Sequence, residues 1–565
     1  MQPLIRRRAL GNVDLLPANL HPVLRRLYAS RGAAADQIAC ELKSLLPPTA
    51  LRGLPAACAL ITEALRSDAK IVIAGDYDAD GATGTALAIL GLRALGATQL
   101  GYVVPDRFRM GYGLSPPLAD MAAAIGAQLL ITVDNGISSI AGVARAKELG
   151  MRVIVTDHHL AGADLPGADA IVNPNQVACE FSSKNLAGVG VMFYLLIALR
   201  AHLREAGWFA NRSEPNLSEF LDLVALGTVA DVVRLDYNNR VLVAQGLARI
   251  RAGRARPGIY ALLDVAGRSA ARLSASDLGF VLGPRINAAG RLEDIRTGIE
   301  CLIAPTPEAA QPPARQLDQF NRDRRELEAQ MRDEALAIVE GSDAIGVAIF
   351  ESHWHEGVVG LIASRVKDKL HRPAFAFARS QEAGLLKGSG RSISGFHLRD
   401  ALAAIDVRRP GLIHRFGGHA MAAGLTIAEK DLAAFTEVFD AVARAQLDDS
   451  LLERVVETDG ELEAAQFALE TALALEAGGP WGQGFPEPLF DGAFRVQDVR
   501  VVGDSHAKYK LAVPNGPTLE AIHFGGAETM RSAGQPLRAV YQLTVNRYRD
   551  LQSAELRIQT LFEAG

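Results

Sequence analysis

The chain of 565 residues has little cysteine, with four residues at positions 40, 58, 179 and 301 and no CxxC pair among them. Without such pairs a structural zinc knuckle is not expected, and the wide spacing argues against a disulfide framework. Sparse cysteine is typical of proteins in a reducing cytosol. We therefore expect a cytoplasmic protein.

Long hydrophobic runs are also absent. The longest apolar run, residues 189–199, is well short of the roughly 20 residues that cross a bilayer. The basic segment that ends at Arg8 is not followed by the apolar core of a signal peptide. The sequence thus predicts no membrane association and no secretory leader.

An excess of positive charge is missing too, because 59 lysines and arginines stand against 64 acidic residues, for a net charge of −5. A polyanionic substrate would therefore have to be held by clustered arginines and lysines or by metal ions. The content of 49% hydrophobic and 22% charged residues is that of a folded globular protein. At roughly 150 residues per domain, the length predicts about three to four domains.

Short apolar runs at 71–74, 129–133 and 152–156 lack polar alternation and are separated by helical patterns. Buried parallel strands that alternate with helices predict a doubly wound α/β sheet. Residues 22–29 and 35–46, before Pro47, are expected to be helical.

Four prolines between positions 305 and 313 are expected to break the chain before a long helix from about Arg315 to Glu340. Its apolar face carries one exception, Arg324. A second α/β block follows, and short alternating stretches near the C-terminus predict a small β-barrel. The expected divisions are an N-terminal helical segment (1–48), a doubly wound domain (49–304), a connecting helix (305–340), a second α/β domain (341–450) and a barrel domain (451–565).

Acidic residues follow the predicted strands of the first domain directly. The carboxyl ends of parallel strands border one crevice, so these side chains should meet in a single cleft. One further aspartate lies in the apolar run 223–235. The candidate residues are Asp76, Asp78, Asp80, Asp134, Asp157, His158, His159 and Asp231.

So many carboxylates in one cleft would repel each other unless cations neutralised them. Aspartate with histidine is a ligand set of divalent transition metals, and imidazole favours Mn²⁺ over Mg²⁺. Two ions about 3.5–4 Å apart could clamp the attacking and leaving oxygens of a phosphoryl transfer, which predicts metal-assisted phosphoester hydrolysis. A calcium loop that starts at Asp76 is excluded because its twelfth position is Leu87. A helix cap remains an alternative for Asp76 or Asp134 taken singly.

Two ordered segments, Gly75-Asp-Tyr-Asp-Ala-Asp-Gly81 and Val155-Thr-Asp-His-His159, resemble the DHH phosphoesterase superfamily. Three further segments and the C-terminal barrel narrow the resemblance to the RecJ family of single-stranded-DNA exonucleases. They are Pro105-Asp-Arg-Phe-Arg-Met-Gly-Tyr-Gly-Leu-Ser115, Gly283-Pro-Arg-Ile-Asn-Ala-Ala-Gly-Arg-Leu292 and Gly417-Gly-His-Ala-Met-Ala-Ala-Gly424. The resemblance covers nearly the whole chain.

This resemblance implies a 5′-to-3′ exonuclease that releases mononucleotides from single-stranded DNA in recombination and repair. A channel too narrow for duplex DNA would explain its selectivity. Many superfamily members have a histidine four residues before the first ligand aspartate, where this chain has Ala74. Asp76 could substitute there, or one ion could bind weakly. The implied ligands of two Mn²⁺ or Mg²⁺ ions are Asp78, Asp80, Asp134, His158 and Asp231, with His159 beside the ions and Asp157 orienting a histidine.

Arginine binds phosphate through two parallel hydrogen bonds, which lysine cannot do. The resemblance implies that Arg107, with the segment Ser389, Gly390 and Arg391, binds the 5′-terminal phosphate and sets polarity. Arg285 and Asn287 would contact the scissile phosphate, and Arg291 is a further candidate. For each arginine the alternative is a helix cap or a pair with an acid.

Further candidates lie in the second lobe, near the acidic cluster and in the barrel. By resemblance, His419 would contact the substrate backbone. Tyr112, His353 and Trp354 could stack on bases, with core packing as the alternative for Trp354. The barrel resembles an OB-fold that binds single strands, and a solvated β face is the alternative. Its candidate residues are Lys508, Lys510, Arg538, Arg547, Tyr548 and Arg549.

Two rival interpretations stay open. A small-substrate DHH enzyme would cleave cyclic dinucleotides, oligoribonucleotides or pyrophosphate, although the barrel and the chain length argue against it. A catalytically inactive relative would only bind single strands or scaffold a replication complex, although the retained ligand positions argue against that. The resemblance also suggests a single-strand-binding protein and a RecQ-type helicase as partners. We expect the parts of the chain to form a toroid or clamp, and a protein of that shape would act as a monomer.

Overall fold

The computed structural model describes residues 3–549 and 551–562. They form two α/β lobes joined by one long helix, followed by a closed β-barrel. The predicted fold class, a doubly wound parallel sheet with a second α/β lobe and a C-terminal barrel of the OB type, is confirmed.

The N-terminal segment is less helical than predicted. It starts with strand β1 (Leu4–Arg7), which pairs in parallel with Val455–Thr458 far along the chain, and continues into helix α1 (Pro22–Ser30). The predicted helix over 35–46 is wrong, because only short 3-10 turns form there. Carbonyl groups of this stretch instead accept hydrogen bonds from side chains of a later helix, including Tyr237 on Ala39 at 2.7 Å and Gln245 on Cys40 at 2.6 Å.

The first lobe contains the predicted parallel sheet, in the order β3-β2-β4-β5-β6. Helices cover both faces, which explains why β2 and β4 are buried along their whole length and show no polar alternation. The strands are β2 (Ile71–Ala74), β3 (Leu100–Val103), β4 (Leu129–Val133), β5 (Arg152–Thr156) and β6 (Ala170–Val172). The helices are α2 (Leu54–Arg66), α3 (Ala79–Ala94), α4 (Pro116–Ala124), α5 (Ile140–Glu148), α6 (Gly188–Glu205), α7 (Leu221–Ala230), α8 (Tyr237–Arg251), α9 (Pro257–Val265), α10 (Ala275–Asp277), α11 (Gly283–Leu292) and α12 (Arg296–Ile303).

The connecting helix α13 (Pro307–Ile338) begins earlier than predicted. Thr306 caps its first turn by accepting a hydrogen bond from the Ala309 amide. Pro312 and Pro313 therefore lie inside the helix and do not break the chain before it. They fall in the second turn, where each removes one helical hydrogen bond. One face of α13 buries three polar side chains, those of Asp318, Asn321 and Glu328.

The second lobe has a mixed five-stranded sheet in the order β10-β11-β9-β8-β7. Its aromatic core, built around Phe375, Phe377, Phe435 and Phe439, lies between the sheet and its helices. The elements are β7 (Val347–Phe350), α14 (Val359–Leu370), β8 (Ala374–Arg379), β9 (Leu385–Arg391), α15 (Leu398–Arg408), β10 (Arg415–Gly418), β11 (Ala422–Ala428), α16 (Leu432–Gln446) and α17 (Asp449–Leu452).

The C-terminal region closes the structure. Strand β12 (Val455–Thr458) pairs with β1, and helix α18 (Leu469–Ala477) packs against the barrel. The barrel order is β13-β14-β15-β17-β16. Its strands are β13 (Phe490–Val502), β14 (His506–Ala512), β15 (Thr518–His523), β16 (Pro536–Tyr548) and β17 (Leu551–Phe562). Within the described residues no single helix is long and apolar enough to cross a membrane, and one bent pair, Leu42–Ala50 with Leu54–Arg66, meets that requirement only in combination.

Candidate metal centre and phosphate site

The carboxyl ends of β2, β4 and β5 bring the predicted acidic and histidine side chains together. Potential ligand atoms within 4.8 Å of one another form three overlapping groups. Asp134 belongs to two of them and His158 to two. The groups are Asp76, Asp78 and Asp134; Asp80, His158 and Asp231; and Asp134, His158 and His159.

Two of these aspartates are fixed by helix N-termini. Asp78 caps α3, and its Oδ1 accepts hydrogen bonds from the Asp80 amide at 2.9 Å and the Gly81 amide at 3.0 Å. Asp80, the second residue of α3, accepts hydrogen bonds from the first amides of α6, those of Gly188 at 2.5 Å and Val189 at 2.9 Å. Helix N-termini favour negative charge, so this geometry holds both carboxylates in fixed positions.

Asp134 lies at the centre of the cluster in a left-handed backbone conformation. Its φ of 63° is in a region that few residues other than glycine adopt, although aspartate is found there more often than most. A Cβ atom at Gly188 would lie 2.5 Å from the Asp134 Cβ, so the start of α6 packs directly against it. The Asp134 side chain, 2% exposed as a residue, thereby belongs to two of the three ligand groups, one with Asp76 and Asp78 and one with His158 and His159.

The electrostatics of the cluster fit a cation. Burial, followed by the charge of Asp78, raises the pKa of Asp80 to about 7. Burial likewise raises the pKa of Asp134 well above its usual value, with the charges of Asp80 and Asp78 acting in the same direction. Burial lowers the pKa of His158 to about 4, which leaves its imidazole neutral and able to donate a lone pair.

Unpaired polar atoms give the same indication. His158 Nε2 lies 3.0 Å from Asp134 Oδ1, 3.5 Å from Asp231 Oδ2 and 3.9 Å from Asp80 Oδ2. The His158 Nε2 and Asp134 Oδ1 atoms are nevertheless buried without a hydrogen-bond partner, as is Asp76 Oδ1. Buried polar atoms are nearly always satisfied, so these atoms are suited to metal coordination.

Asp157 and His159 form a hydrogen-bonded pair beside the cluster. Asp157 Oδ1 accepts hydrogen bonds from the His158 and His159 amides and lies 2.8 Å from His159 Nδ1. Burial lowers the pKa of His159, but the hydrogen bond and charge of Asp157 more than offset this and raise it. Asp157 therefore orients the His159 ring and holds the backbone of both histidines. The Tyr112 hydroxyl donates to the Asp134 carbonyl at 2.9 Å and lies 2.9 Å from His159 Nδ1.

A cluster of arginines lies next to the acidic cluster. Its members are Arg107, Arg291 and Arg391, and we call it the arginine cluster. Burial, followed by the charges of Arg107, Arg391 and Arg324, lowers the pKa of Arg291 to about 9. Burial and the charge of Arg107 also lower the pKa of Arg391. Arg391 donates to the Ser389 hydroxyl at 3.2 Å and to the Gly390 carbonyl at 2.8 Å.

The two clusters meet at one residue. The Arg107 guanidinium lies over the Tyr77 ring, 4.7 Å from its centroid. Tyr77 stands between the candidate ligands Asp76 and Asp78 in the chain. Adjacent arginines with few acidic partners favour an anion, and adjacent buried carboxylates favour cations. The arrangement can therefore bind phosphate groups at the arginine cluster next to divalent ions at the acidic cluster.

The remaining candidates have mixed surroundings. Arg285 is paired with Asp318 of α13, at 3.0 Å from Nε and 2.9 Å from Nη2, which matches the alternative in which an arginine pairs with an acid. Asn287 accepts a hydrogen bond from the Ala79 amide at 2.8 Å and so joins α11 to the start of α3. His419 is exposed as a residue. Partial burial of its imidazole, followed by the charge of His159, lowers its pKa.

Several predicted base-contacting and barrel residues have other partners. Trp354 is 4% exposed and donates to Glu334 at 2.8 Å, which favours the core-packing alternative, and His353 also contacts Glu334. Lys508, Arg538 and Arg547 pair with acidic side chains. Tyr548 is 65% exposed, and Arg549 lies over its ring at 5.1 Å. Lys510 lies on β14 opposite Glu520.

Sequence reasoning missed three residues that shape the site. Gly188 places the α6 amides on Asp80, Asn135 donates to the Ala74 carbonyl at 3.1 Å, and Asp318 binds Arg285. No local sequence pattern predicts the Gly188 or Asp318 contacts, because each contact joins residues that are distant in the chain. Asn135 directly follows Asp134 at a strand end, a signal that could have been used.

Comparisons with known families agree with this layout. The model of the DHH family N-terminal domain matches residues 70–228, the DHHA1 domain matches residues 342–445, and the RecJ OB domain matches residues 458–560. The matched segments contain, in order, the acidic cluster apart from Asp231, the Ser389–Arg391 segment with His419, and the barrel.

Full-length relatives are also found. The single-stranded-DNA-specific exonuclease RecJ of Salmonella typhimurium is 50% identical over 99% of both chains. The crystal structure of RecJ from Thermus thermophilus in complex with Mn²⁺ superposes with a TM-score of 0.84 at 29% identity, covering 99% of this chain and 80% of that one. The corresponding complex with Mg²⁺ gives a TM-score of 0.78 at 28% identity, over 99% and 79%.

Proposed function

The chain belongs to the RecJ family of single-stranded-DNA-specific exonucleases, and from this premise we propose that it degrades single-stranded DNA from the 5′ end. It would hydrolyse one phosphodiester bond at a time with two divalent ions, Mn²⁺ or Mg²⁺, and release 5′-mononucleotides. The observation that carries the proposal is the contact of Arg107 with Tyr77, which joins an anion-binding cluster to a cation-binding cluster.

The residues suited to hold the ions are the predicted ligands together with Asp76. Asp80, His158 and Asp231 would hold one ion, and Asp76 and Asp78 would hold the other. Asp134, which groups with Asp76 and Asp78 and lies 3.0 Å from His158 Nε2, would be a ligand of both. Asp76 thus fills the place left by Ala74. When bound, such ions lower the pKa of a water molecule and neutralise charge on the phosphate. Asp157 keeps the His159 ring oriented through one hydrogen bond and holds the His158 and His159 backbone through two others.

Polarity would come from the arginine cluster. A terminal phosphate carries more negative charge than an internal one, so Arg107, Arg291 and Arg391 would bind it preferentially, with the Ser389 hydroxyl and the Gly390 segment beside them. The scissile bond would then lie one nucleotide away, at the ions. Arg285 and Asn287 are the proposed contacts of the scissile phosphate, with Asp318 orienting the Arg285 guanidinium.

For the other substrate contacts, the location and the partners, we propose the roles that were predicted from the sequence. Tyr112 and His419 would contact the substrate near the ions, and the barrel would bind the strand further along. We propose that the protein acts as a cytoplasmic monomer in recombination and repair, with a single-strand-binding protein and a RecQ-type helicase as partners. The predicted domain limits are kept as part of this proposal.

The experiment uses single-stranded oligonucleotides labelled at the 3′ end, with or without a 5′ phosphate, in Mn²⁺. The native protein should give a ladder of progressively shorter labelled strands and should prefer the phosphorylated substrate. Asp80→Ala should abolish the ladder because it removes a ligand. Arg391→Ala should cleave both substrates at similar rates because the terminal phosphate loses a bidentate partner.

Asp164→Ala is the matched control for Asp80→Ala, since Asp164 is exposed and outside the cluster. An intact oligonucleotide that still binds would favour the inactive scaffold instead. Cleavage confined to dinucleotides would favour a small-substrate enzyme. Release of a labelled mononucleotide before the ladder forms would mean 3′-to-5′ polarity and contradict the proposal.

A further inference from the structure

The arginine cluster is divided between the two lobes. Arg107 and Arg291 belong to the first lobe, whereas Arg391 lies at the end of β9 in the second. The lobes touch here, because Arg291 donates to the Gly357 carbonyl at 3.3 Å, just before α14. The spacing of the cluster therefore depends on whatever holds α14 against the first lobe.

The start of α14 packs directly on the second lobe's part of the cluster. A Cβ atom at Gly360 would lie 2.9 Å from Ser389 Oγ and 3.1 Å from Arg391 Nη2, so no side chain separates the helix from these groups. A movement of the first turn of α14 must therefore move Ser389 and Arg391 or open a gap beside them.

A buried carboxylate on the connecting helix holds α14 in place. Glu328 of α13 is 7% exposed, and both of its oxygens are occupied. Oε2 accepts a hydrogen bond from Arg324 Nη1 at 2.7 Å, and Oε1 lies 2.8 Å from Nε and 2.7 Å from Nη2 of Arg365, on α14. Arg324, the exception on the apolar face of this helix, also donates to Asn321 at 3.0 Å.

The same helix is anchored to the first lobe ten residues earlier, where Asp318 binds Arg285 of α11. Two carboxylates on one helix thus bind one arginine from each lobe. Charged hydrogen bonds of this geometry are the strong ones among protein hydrogen bonds, and both carboxylates are largely removed from water. The charge of Arg324 is also felt at Arg291, where it is one of the causes that lower the pKa.

We propose that Glu328 is a positioning residue that, by binding Arg324 of α13 and Arg365 of α14 at once, fixes the distance between the two halves of the arginine cluster. This inference rests on the proposed 5′-phosphate site. Glu328 does not touch the substrate. It sets the place of the terminal phosphate relative to the ions, and hence the removal of one nucleotide per cleavage.

The test compares Glu328→Gln with Glu326→Gln, the same change at an exposed position on the same helix. Glutamine replaces one accepting oxygen with a donating amide that would face an arginine. In Glu328→Gln the ratio of kcat/KM for 5′-phosphorylated over 5′-hydroxyl oligonucleotides should fall about tenfold, equivalent to roughly 1.4 kcal/mol. The loss should lie mainly in KM, and dinucleotide products should appear. Glu326→Gln should keep the native ratio and products.

A second variant and a second measurement make the test independent of folding and of activity. Arg365→Gln changes a side chain that is 54% exposed and removes only the α14 half of the contact. It should lower the same ratio. In both variants, amide hydrogen exchange over residues 356–364 should accelerate, with no change in the strands of the first lobe.

The outcomes separate the two proposals. A native protein without any preference for a 5′ phosphate overturns the proposed terminal-phosphate site. Glu328→Gln and Arg365→Gln proteins that retain the native ratio, or that exchange residues 356–364 at the native rate, overturn the positioning role of Glu328. A drop in kcat that is equal for both substrates, without a change in ratio, also overturns it.

Discussion

The acidic cluster should destabilise the metal-free protein at neutral pH, and Asp80→Asn should relieve part of that cost. The pKa of Asp80 is raised from 3.8 to about 7, chiefly by burial. At 1.36 kcal/mol per pKa unit, the charged form costs about 4 kcal/mol in the folded state. Asparagine removes the charge, but its amide nitrogen cannot accept, so one charge-assisted hydrogen bond from the α6 amides is lost. That bond contributes about 2 kcal/mol. The net gain for the metal-free variant is about 2 kcal/mol.

The sign of the pH dependence follows from the raised pKa. Between pH 3.8 and about 7 the folded protein keeps a proton on Asp80 that the unfolded chain has lost. The free energy of unfolding therefore decreases as pH rises through this window. The advantage of Asp80→Asn should be present at about pH 8 and should disappear at about pH 4, where both proteins carry a neutral side chain.

Urea unfolding in EDTA, followed at several pH values, measures this directly. Adding Mn²⁺ should reverse the order, since an ion that binds only the folded state stabilises it by about 2.7 kcal/mol at a hundredfold excess over Kd. Asp164→Asn, an exposed control, should behave as the native protein does. If Asp80→Asn is less stable than the native protein by the same amount at every pH in EDTA, the cluster carries no electrostatic strain and the reasoning is refuted.

Further predictions concern individual contacts. Tyr112→Phe removes the hydroxyl that donates to the Asp134 carbonyl and should lower kcat about tenfold, as measured by oligonucleotide cleavage. The free energy of unfolding should fall by only about 1 kcal/mol, as measured by calorimetry. Asp491→Asn replaces a carboxylate that accepts hydrogen bonds from Arg7 and Thr458. The free energy of unfolding, measured in urea, should fall by about 3 kcal/mol. Burial raises the pKa of Asp491, but its hydrogen bonds lower it overall, so this stabilisation should fade as pH falls.

The parts of the fold that could be predicted are those set by local pattern. The runs at 71–74, 129–133 and 152–156 are strands as predicted, because a strand buried on both faces must be apolar throughout. The predicted helix over 35–46 does not form, since side chains of α8 bind its carbonyl groups. These hydrogen bonds come from a segment about 200 positions away in the chain, so the sequence of residues 35–46 alone does not predict them.

The site, too, has features that could be predicted from local sequence and features that depend on contacts between distant residues. Strand ends placed the acidic residues in one cleft, and the motif resemblance supplied their expected roles, which remain predictions. The partner of Arg285 was not predictable, because Asp318 is one of many acidic residues on a charged helix. The same holds for Glu328, whose link to Arg365 exists only once α13 and α14 have packed together.

We propose that two ions bind side by side at the two ligand groups that share Asp134. Titration of Mn²⁺ into the metal-free protein, followed by electron paramagnetic resonance, counts the ions and detects spin coupling between them. We expect the native protein and Asp164→Asn to bind two equivalents with spin coupling between them, and Asp134→Asn to lose the coupling and at least one equivalent. A single uncoupled Mn²⁺ in the native protein, or an unchanged spectrum in Asp134→Asn, would contradict this proposal.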